Sequence, residues 1–129
     1  MSPSVQLHVN PGDELPIYRQ LVRQIADAIA GGRLERGEQL PSHRDLAAQL
    51  VIAPLTVKKA YDELENQGLI ETQRGRGTFV RNVLPAPSTE SRERLRDGAQ
   101  RLLTQAALVG VSFDELVGLL EELKEGNDR

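Results

Sequence analysis

The stretch that most limits what this chain can fold into runs from residue 40 to residue 80. Ser42 is a good N-cap for a first helix there, because its hydroxyl can accept hydrogen bonds from backbone N–H groups of the first turn. Pro54 is favoured at the first position of a second helix. Residues 69–72 and 78–80 are rich in β-forming side chains and flank a turn of glycines and arginines. Two short helices and a hairpin are the pattern of a winged helix-turn-helix, whose second helix lies in the major groove of DNA.

Apolar residues at helical spacing supply a core for this motif. A helix over residues 16–30 carries one apolar stripe, and the helix opened by Pro54 carries another. Residues 5–9 alternate apolar and polar, as a short strand does. The stripes consist of Ile17, Leu21, Ile25 and Ile29, and of Val57, Ala60, Tyr61 and Leu64. The predicted fold is mainly α with a small β-hairpin: a winged helix-turn-helix domain over residues 1–81, followed by a C-terminal two-helix hairpin.

Residues 13–80 resemble the DNA-binding domain of the GntR family of bacterial transcription regulators. Six stretches, in matching order and spacing, carry the likeness: residues 16–21, 37–42, 44–47, 56–61, 64–70 and 75–80. The short C-terminal part and the Ala60-Tyr61 pair resemble the YtrA subfamily. The resemblance implies a sequence-specific, dimeric regulator of transcription. It is expected to act as a repressor by occupying a pseudo-palindromic operator in double-stranded DNA.

Three positions depart from the pattern of that family. His43 stands where a glutamate is usual, Val51 replaces the glycine of the turn between the helices, and Ala53 replaces a serine, threonine or asparagine. Because β-branched residues disfavour positive φ, Val51 predicts a turn that avoids this conformation. Ala53 is a poor N-cap and is expected to cost about 1 kcal/mol of local stability, unless water or DNA phosphate serves the free N–H groups.

Three groups of residues are expected to contact DNA: the first turn of the first motif helix, the leading end of the second, and the hairpin tip. They are Ser42, His43 and Arg44; Pro54, Leu55, Thr56, Lys58 and Lys59; and Arg74, Gly75, Arg76 and Gly77. Arg44 would otherwise be a solvated surface arginine, and the resemblance favours its contact with a base edge or phosphate. Leu55 would suit a thymine methyl group. Lys58 and Lys59 would meet phosphates and set the register.

The hairpin tip, residues 73–77, allows two interpretations. A tight turn alone would require only the glycines and would leave Arg74 and Arg76 unexplained. Arginines at a wing tip can enter the minor groove or meet its phosphates, which favours the DNA interpretation. The Gly75-x-Gly77 spacing is no nucleotide-binding fingerprint, because no helix follows it.

The charge balance argues against DNA binding by bulk electrostatics. The formal net charge is −3, and residues 1–80 hold 9 lysines and arginines against 10 aspartates and glutamates. Binding would therefore rest on local clusters of basic side chains. The negative charge and the weak N-cap at Ala53 support an alternative. In that alternative the chain is a winged-helix protein-interaction module without DNA function.

The character of the chain changes after residue 81. Residues 82–88 contain two prolines and are predicted to be a linker. Residues 89–125 follow as a helical hairpin, which is too small to bury its apolar faces alone. A second copy of the chain would cover these faces, so the hairpin is predicted to form a homodimer. The predicted interface residues are Leu95, Leu102, Leu103, Phe113, Leu116, Val117, Leu120 and Leu123.

Other classes of protein find little support in the sequence. Cysteine is absent, no catalytic constellation stands out, and His8 with His43 makes a weak case for a metal site. Neither an enzyme nor a metal or other cofactor is therefore expected. The start of the chain does not resemble a signal peptide and no stretch would span a bilayer, which predicts a cytoplasmic protein without membrane contact. The tail is too short for a large effector domain, although an unidentified small molecule could bind between dimerised tails.

Overall fold

A computed structural model describes residues 6–127. In chain order its elements are α1 (Ile17–Ala30), β1 (Gln39–Leu40), α2 (His43–Leu50), α3 (Pro54–Asn66), β2 (Ile70–Gln73), β3 (Gly77–Val80), α4 (Thr89–Leu108) and α5 (Phe113–Asn127). The chain divides between Pro85 and Ala86 into two compact units. The predicted fold class is confirmed, because a winged helix-turn-helix unit precedes two C-terminal helices. In the described range, no helix is both long enough and apolar enough to cross a membrane.

The core of the first unit forms where α1 and α2 pack against α3. The apolar stripes predicted for α1 and α3 face this core, except that Ile17 is only partly buried at its edge. Leucines from the loops and residues from the strands complete it. The buried residues are Leu21, Ile25, Ala28, Ile29, Leu34, Leu40, Leu46, Ala47, Val57, Ala60, Tyr61, Leu64, Ile70 and Val80.

A third strand extends the predicted hairpin to a three-stranded antiparallel sheet in the order β1-β3-β2. Ile70 lies opposite Val80 in the β2–β3 pair, which confirms the hairpin. Strand β1 places Gln39 opposite Phe79. Sequence reasoning missed β1, because two residues are too few to show an alternating pattern. This strand ties the segment before α2 to the hairpin.

The turn between α2 and α3 adopts the conformation that the sequence argued against. Val51 has φ 58° and ψ 51°, in the left-handed region, so the expectation that this turn avoids positive φ is wrong. The N–H of Ile52 donates to the carbonyl oxygen of Ala47 over 3.0 Å, and the N–H of Val51 donates to that of Ala48 over 3.3 Å. These two bonds form a Schellman motif, which glycine usually completes. An L-residue in this region costs about 1–2 kcal/mol. The chain accepts this cost because it must reverse sharply between two helices that pack together.

The segment before α1 is held by two glutamine side chains of that helix. Gln24 accepts from the N–H of His8 over 3.0 Å and donates to its carbonyl oxygen over 2.7 Å. One turn earlier, the buried Gln20 makes the same pair of bonds with Asn10, at 2.8 and 2.9 Å. The strand predicted for residues 5–9 is therefore not found over residues 6–9, and residue 5 lies outside the described range. Side-chain amides, rather than a neighbouring strand, satisfy the backbone there.

The second unit consists of α4 and α5, which contact each other. Ser88 and Ser91 form a capping box at the start of α4, a signal that sequence reasoning did not identify. At the start of α5, the N–H of Glu115 donates to the hydroxyl oxygen of Ser112 over 3.2 Å. Both helices therefore begin at serines whose hydroxyls satisfy first-turn N–H groups.

Candidate nucleic-acid interface

The start of α2 places a cationic side chain on the surface. Ser42 caps the helix as predicted, since the N–H of Asp45 donates to its hydroxyl oxygen over 3.0 Å. His43 is half-buried and Arg44 is exposed. Within the described residues, the Arg44 guanidinium takes part in no hydrogen bond or ion pair with the protein. It is therefore available to an outside ligand such as a phosphate or a base edge.

The start of α3 exposes a large apolar side chain beside a helix end that has no side-chain cap. Ala53 is the N-cap residue and gives no side-chain hydrogen bond, as its identity predicts, and Pro54 occupies the first turn. Leu55 is 75% exposed. Thr56 is half-buried, and its N–H donates to the carbonyl oxygen of Ala53 over 3.1 Å. Neither the exposed leucine nor the weak cap stabilises the fold, so both fit a surface shaped for a ligand.

The two lysines of α3 have different partners. Lys58 forms an ion pair of 3.0 Å with Asp62 one turn later. The ammonium of Lys59 instead lies 4.1 Å from the centre of the Tyr18 ring in the first turn of α1. Sequence reasoning assigned both lysines to phosphates and did not identify Tyr18. The i,i+4 spacing of Lys58 and Asp62 would have indicated that pair.

The hairpin tip presents two arginines on a constrained backbone. The N–H of Arg76 donates to the carbonyl oxygen of Gln73 over 2.9 Å, which closes the turn. Gly77 has φ +129°, and a Cβ there would lie 2.6 Å from the side-chain nitrogen of Gln39. That nitrogen donates to the Arg76 carbonyl oxygen over 3.2 Å. Arg74, Gly75 and Arg76 are all exposed. The glycines are thus explained by the turn. The central guanidinium carbon of Arg76 lies 5.9 Å from the centre of the Phe79 ring, while no contact within residues 6–127 accounts for Arg74.

Hydrogen bonds join the hairpin to α3 and to the following chain. The N–H of Thr72 in β2 donates to a carboxylate oxygen of Glu65 in α3 over 2.9 Å. The N–H of Arg81 donates to the carbonyl oxygen of Leu69 over 3.0 Å. Since α2 also packs on α3, the three groups of predicted contact residues belong to one connected framework.

The predicted dimer residues of the second unit differ in exposure. Leu116 is only 4% exposed in the single chain, so it gives little surface to a partner. Leu102 and Val117 are half-buried. Large apolar side chains remain exposed at Leu95, Leu103, Phe113, Leu120 and Leu123, and also at Leu108, Val109 and Leu119, which the sequence analysis left out.

Comparisons with known proteins add independent findings. Residues 17–80 match the model of the bacterial regulatory proteins of the gntR family. The chain is 33% identical over 118 residues to the HTH-type transcriptional repressor YtrA of Bacillus subtilis (strain 168), an alignment that covers 91% of each chain.

Solved structures show the same likeness. The fold matches a crystal structure named as a transcriptional antiterminator from Listeria monocytogenes EGD-e with a TM-score of 0.87 and 31% identity, covering 98% of this chain and 95% of that one. It also matches the DNA-binding domain of AraR, crystallised with operator ORX1, with a TM-score of 0.50 and 30% identity, over 58% of this chain and 99% of that one.

Proposed function

The chain belongs to the gntR family of bacterial regulatory proteins and resembles its YtrA members, and we propose that it is a sequence-specific DNA-binding repressor of transcription. It would act as a homodimer that occupies a pseudo-palindromic operator and thereby blocks polymerase. This activity would take place in the cytoplasm, where bacterial DNA lies. The family consists of regulatory proteins, and the proposed activity requires no catalysis.

The observation that carries this proposal is the exposed leading end of α3. The uncapped helix start offers the N–H of Leu55 and a positive dipole end to a phosphate. Leu55, exposed on the same turn, offers an apolar contact to a thymine methyl group. DNA supplies both kinds of partner at neighbouring positions in its major groove, so a single ligand accounts for two features that the fold leaves unexplained.

The remaining predicted contacts take complementary roles around α3. Arg44, whose guanidinium has no partner within residues 6–127, would reach a base edge or a phosphate beside the first turn of α2. Lys58 and Lys59 would meet phosphates, and Arg74 with Arg76 would enter the minor groove or meet its phosphates. These cations are clustered on the elements proposed to face DNA. A chain of net charge −3 could therefore still bind a polyanion through this part of its surface.

Dimerisation is supported by the apolar surface of the second unit. Leucines and Phe113 are exposed in this unit. Two copies related by a two-fold axis would cover these side chains if they make up one self-complementary patch. The same axis would set two α3 helices about one or more DNA turns apart, at ~34 Å per turn. An unidentified effector bound between the two tails would be able to alter that spacing.

A protein-interaction module without DNA function is the second candidate, and the negative net charge favours it. Such a module would show no salt-dependent retention on DNA. Electrostatic attraction to phosphates predicts a strong decrease in affinity as salt rises, which separates the two candidates in one measurement.

The decisive experiment selects operator fragments from sheared bacterial DNA with the full chain and then titrates them by gel shift. Arg44→Ala and Thr56→Ala should each weaken specific binding by about 1–3 kcal/mol if the lost contact reads a base, while thermal stability stays near the wild-type value. Arg33→Ala removes an equal charge from the exposed loop after α1 and serves as the control. Unchanged operator affinity for both variants would reject this docking.

A further inference from the structure

We propose that Tyr18, Arg19 and Lys59 form a further phosphate-binding site, in which the Tyr18 ring positions Lys59 for a backbone phosphate of bound duplex DNA. This inference rests on the proposed DNA-binding function. It adds α1 to an interface otherwise built from α2, α3 and the hairpin tip. Arg19 would contact the same phosphate or a neighbouring one, and Tyr18 acts as a positioning residue.

The geometry brings two cations from different helices onto one aromatic ring. The Lys59 ammonium, from α3, lies 4.1 Å from the centre of the Tyr18 ring. The central guanidinium carbon of Arg19, the next residue of α1, lies 5.6 Å from the same point. Both distances fall within the range of about 6 Å for cation–π attraction. The ring is half-buried, while both cationic side chains are exposed to solvent.

The charges at this ring are not neutralised by carboxylates of the described residues. Lys58 pairs with Asp62, and Lys59 has the same i,i+4 relation to Glu63. However, a carboxylate oxygen of Glu63 accepts from the side-chain nitrogen of Gln67 over 3.1 Å. Within residues 6–127, neither Lys59 nor Arg19 has an ion-pair partner. Two like charges on one neutral ring favour an anion from outside.

A surface groove of about 290 Å³ between α1 and α3 adjoins these side chains. Tyr18, Arg19 and Arg23 line it over the first half of α1, and Asp27 and Glu63 line it further along the two helices. The end of the groove that lies at Tyr18 is therefore positive, and Lys59 at that end is one helical turn after Thr56 in α3. This places the cations beside the proposed major-groove contacts, as expected for phosphates that flank the groove.

The ring gives a physical reason why Lys59 should bind phosphate better than a free surface lysine. A lysine side chain loses much rotamer freedom when its ammonium is fixed. Contact with Tyr18 restricts that freedom before DNA arrives, so less entropy remains to be lost on binding. The attraction to the ring leaves the ammonium charged and accessible from its solvent side.

The test measures how the affinity of the full chain for an operator fragment, selected from random duplexes, depends on salt. Each phosphate contact contributes about 0.9 to the slope of log affinity against log salt. Lys59→Gln and Tyr18→Leu should each lower the slope by about that amount, and the double variant should lose no more than either alone. Tyr18→Phe retains the ring, so its salt slope should equal that of the wild type rather than that of Tyr18→Leu. Arg19→Gln should remove a further, additive contact.

Arg33→Gln, outside the site, controls for the loss of one positive charge, and thermal melting identifies variants that do not fold. A folded Tyr18→Leu chain with the wild-type slope would overturn the positioning role. Additive losses in the Tyr18→Leu, Lys59→Gln pair would overturn it as well. A wild-type chain that binds operator no better than random DNA would instead reject the proposed function, and this site with it. If the wild-type chain prefers operator over random DNA but the variants keep its salt slope, only the proposed phosphate site is rejected.

Discussion

The hydroxyl group of Tyr61 in α3 donates a hydrogen bond of 2.8 Å to the carbonyl oxygen of Pro41. Pro41 directly precedes Ser42, the N-cap of α2, and the Tyr61 side chain belongs to the buried core. The bond therefore fixes the start of α2 against the middle of α3. Because Arg44 lies in that first turn and Leu55 lies in the first turn of α3, this contact helps to set the spacing of two proposed DNA contacts.

Removing this hydroxyl should destabilise the first unit. Tyr61→Phe leaves the ring in the core but deprives the Pro41 carbonyl of its partner, so we expect a loss of about 1–2 kcal/mol in the free energy of unfolding. Urea titration followed by circular dichroism measures it. Tyr18→Phe is the matched control, since the Tyr18 hydroxyl has no hydrogen bond within the described residues. Equal stabilities for the two variants would contradict the structural role of the bond.

Tyr61 should also make stability depend on pH in the alkaline range. Burial raises the pKa of its hydroxyl above the ordinary value of 10.0, because the phenolate would be desolvated. A raised pKa in the folded state means that the contribution is complete below pH 10 and is lost as the pH rises above it. The wild type should therefore lose stability above about pH 10 more steeply than Tyr61→Phe. Parallel curves for the two proteins, in thermal melts from pH 8 to 11, would refute this prediction.

The fold was predictable where local signals agree with packing. Ser42, Pro54 and the stripes of α1 and α3 each indicate a helix start or face that the structure contains. The backbone of Val51 was not predictable, because local preference opposed positive φ while the sharp reversal between two packed helices required it. Strand β1 was not predictable for a related reason, because its two residues form a strand only by pairing with β3.

Substitution of Val51 by glycine should stabilise the first unit, whereas most substitutions destabilise a protein. Its side chain is 87% exposed and its φ is 58°, so the side chain adds little packing while its backbone is strained. Val51→Gly removes about 1–2 kcal/mol of strain and adds some unfolded-state entropy, for a net gain of roughly 0.5–1 kcal/mol. Val51→Ala, which keeps Cβ, should gain less. A melting temperature that falls in the glycine variant would show that the valine is needed for packing.

The candidate site was predictable as a set of positions but not as a set of contacts. The resemblance indicated Arg44, while the chemistry of phosphate contacts and of wing tips indicated Lys59 and the hairpin arginines. Lys59 and Tyr18 are 41 positions apart in sequence, so no spacing rule reveals that their side chains meet. The hydrogen bonds from glutamine side chains of α1 to the backbone of His8 and Asn10 were not predictable for the same reason. Contacts between distant elements depend on helix packing, which the pattern of one helix does not specify.

The hairpin tip should contribute to affinity through its arginines alone. Arg74→Ala combined with Arg76→Ala removes two exposed cations while Gly75, Gly77 and the turn hydrogen bond remain. We expect affinity to fall about tenfold, most at operators with A·T-rich flanks, where a narrow minor groove attracts arginine. Arg33→Ala with Arg36→Ala removes the same charge from the loop after α1 as a control. Footprints of unaltered width and strength would show that the tip is only a turn.

The second unit should be needed for dimerisation but not for folding of the first. The buried core of residues up to 85 is formed by residues of that unit, which predicts that a chain ending at Pro85 folds. The tail retains exposed apolar side chains, including Phe113 and Leu120, whose burial is worth about 1.5–3 kcal/mol each. Sedimentation should therefore find a monomer for the truncated chain and a dimer for the intact one.

Point substitutions separate loss of the dimer from loss of the DNA-binding surface. Leu120→Glu places a charge in the proposed interface and should yield a folded monomer that binds a full operator far more weakly, because one half-site offers too few contacts. Leu55→Glu places the same charge on α3, where it should abolish operator binding and leave the dimer intact. A truncated chain that remains dimeric, or an intact chain that is monomeric at micromolar concentration, would contradict the dimer interface proposed for the tail.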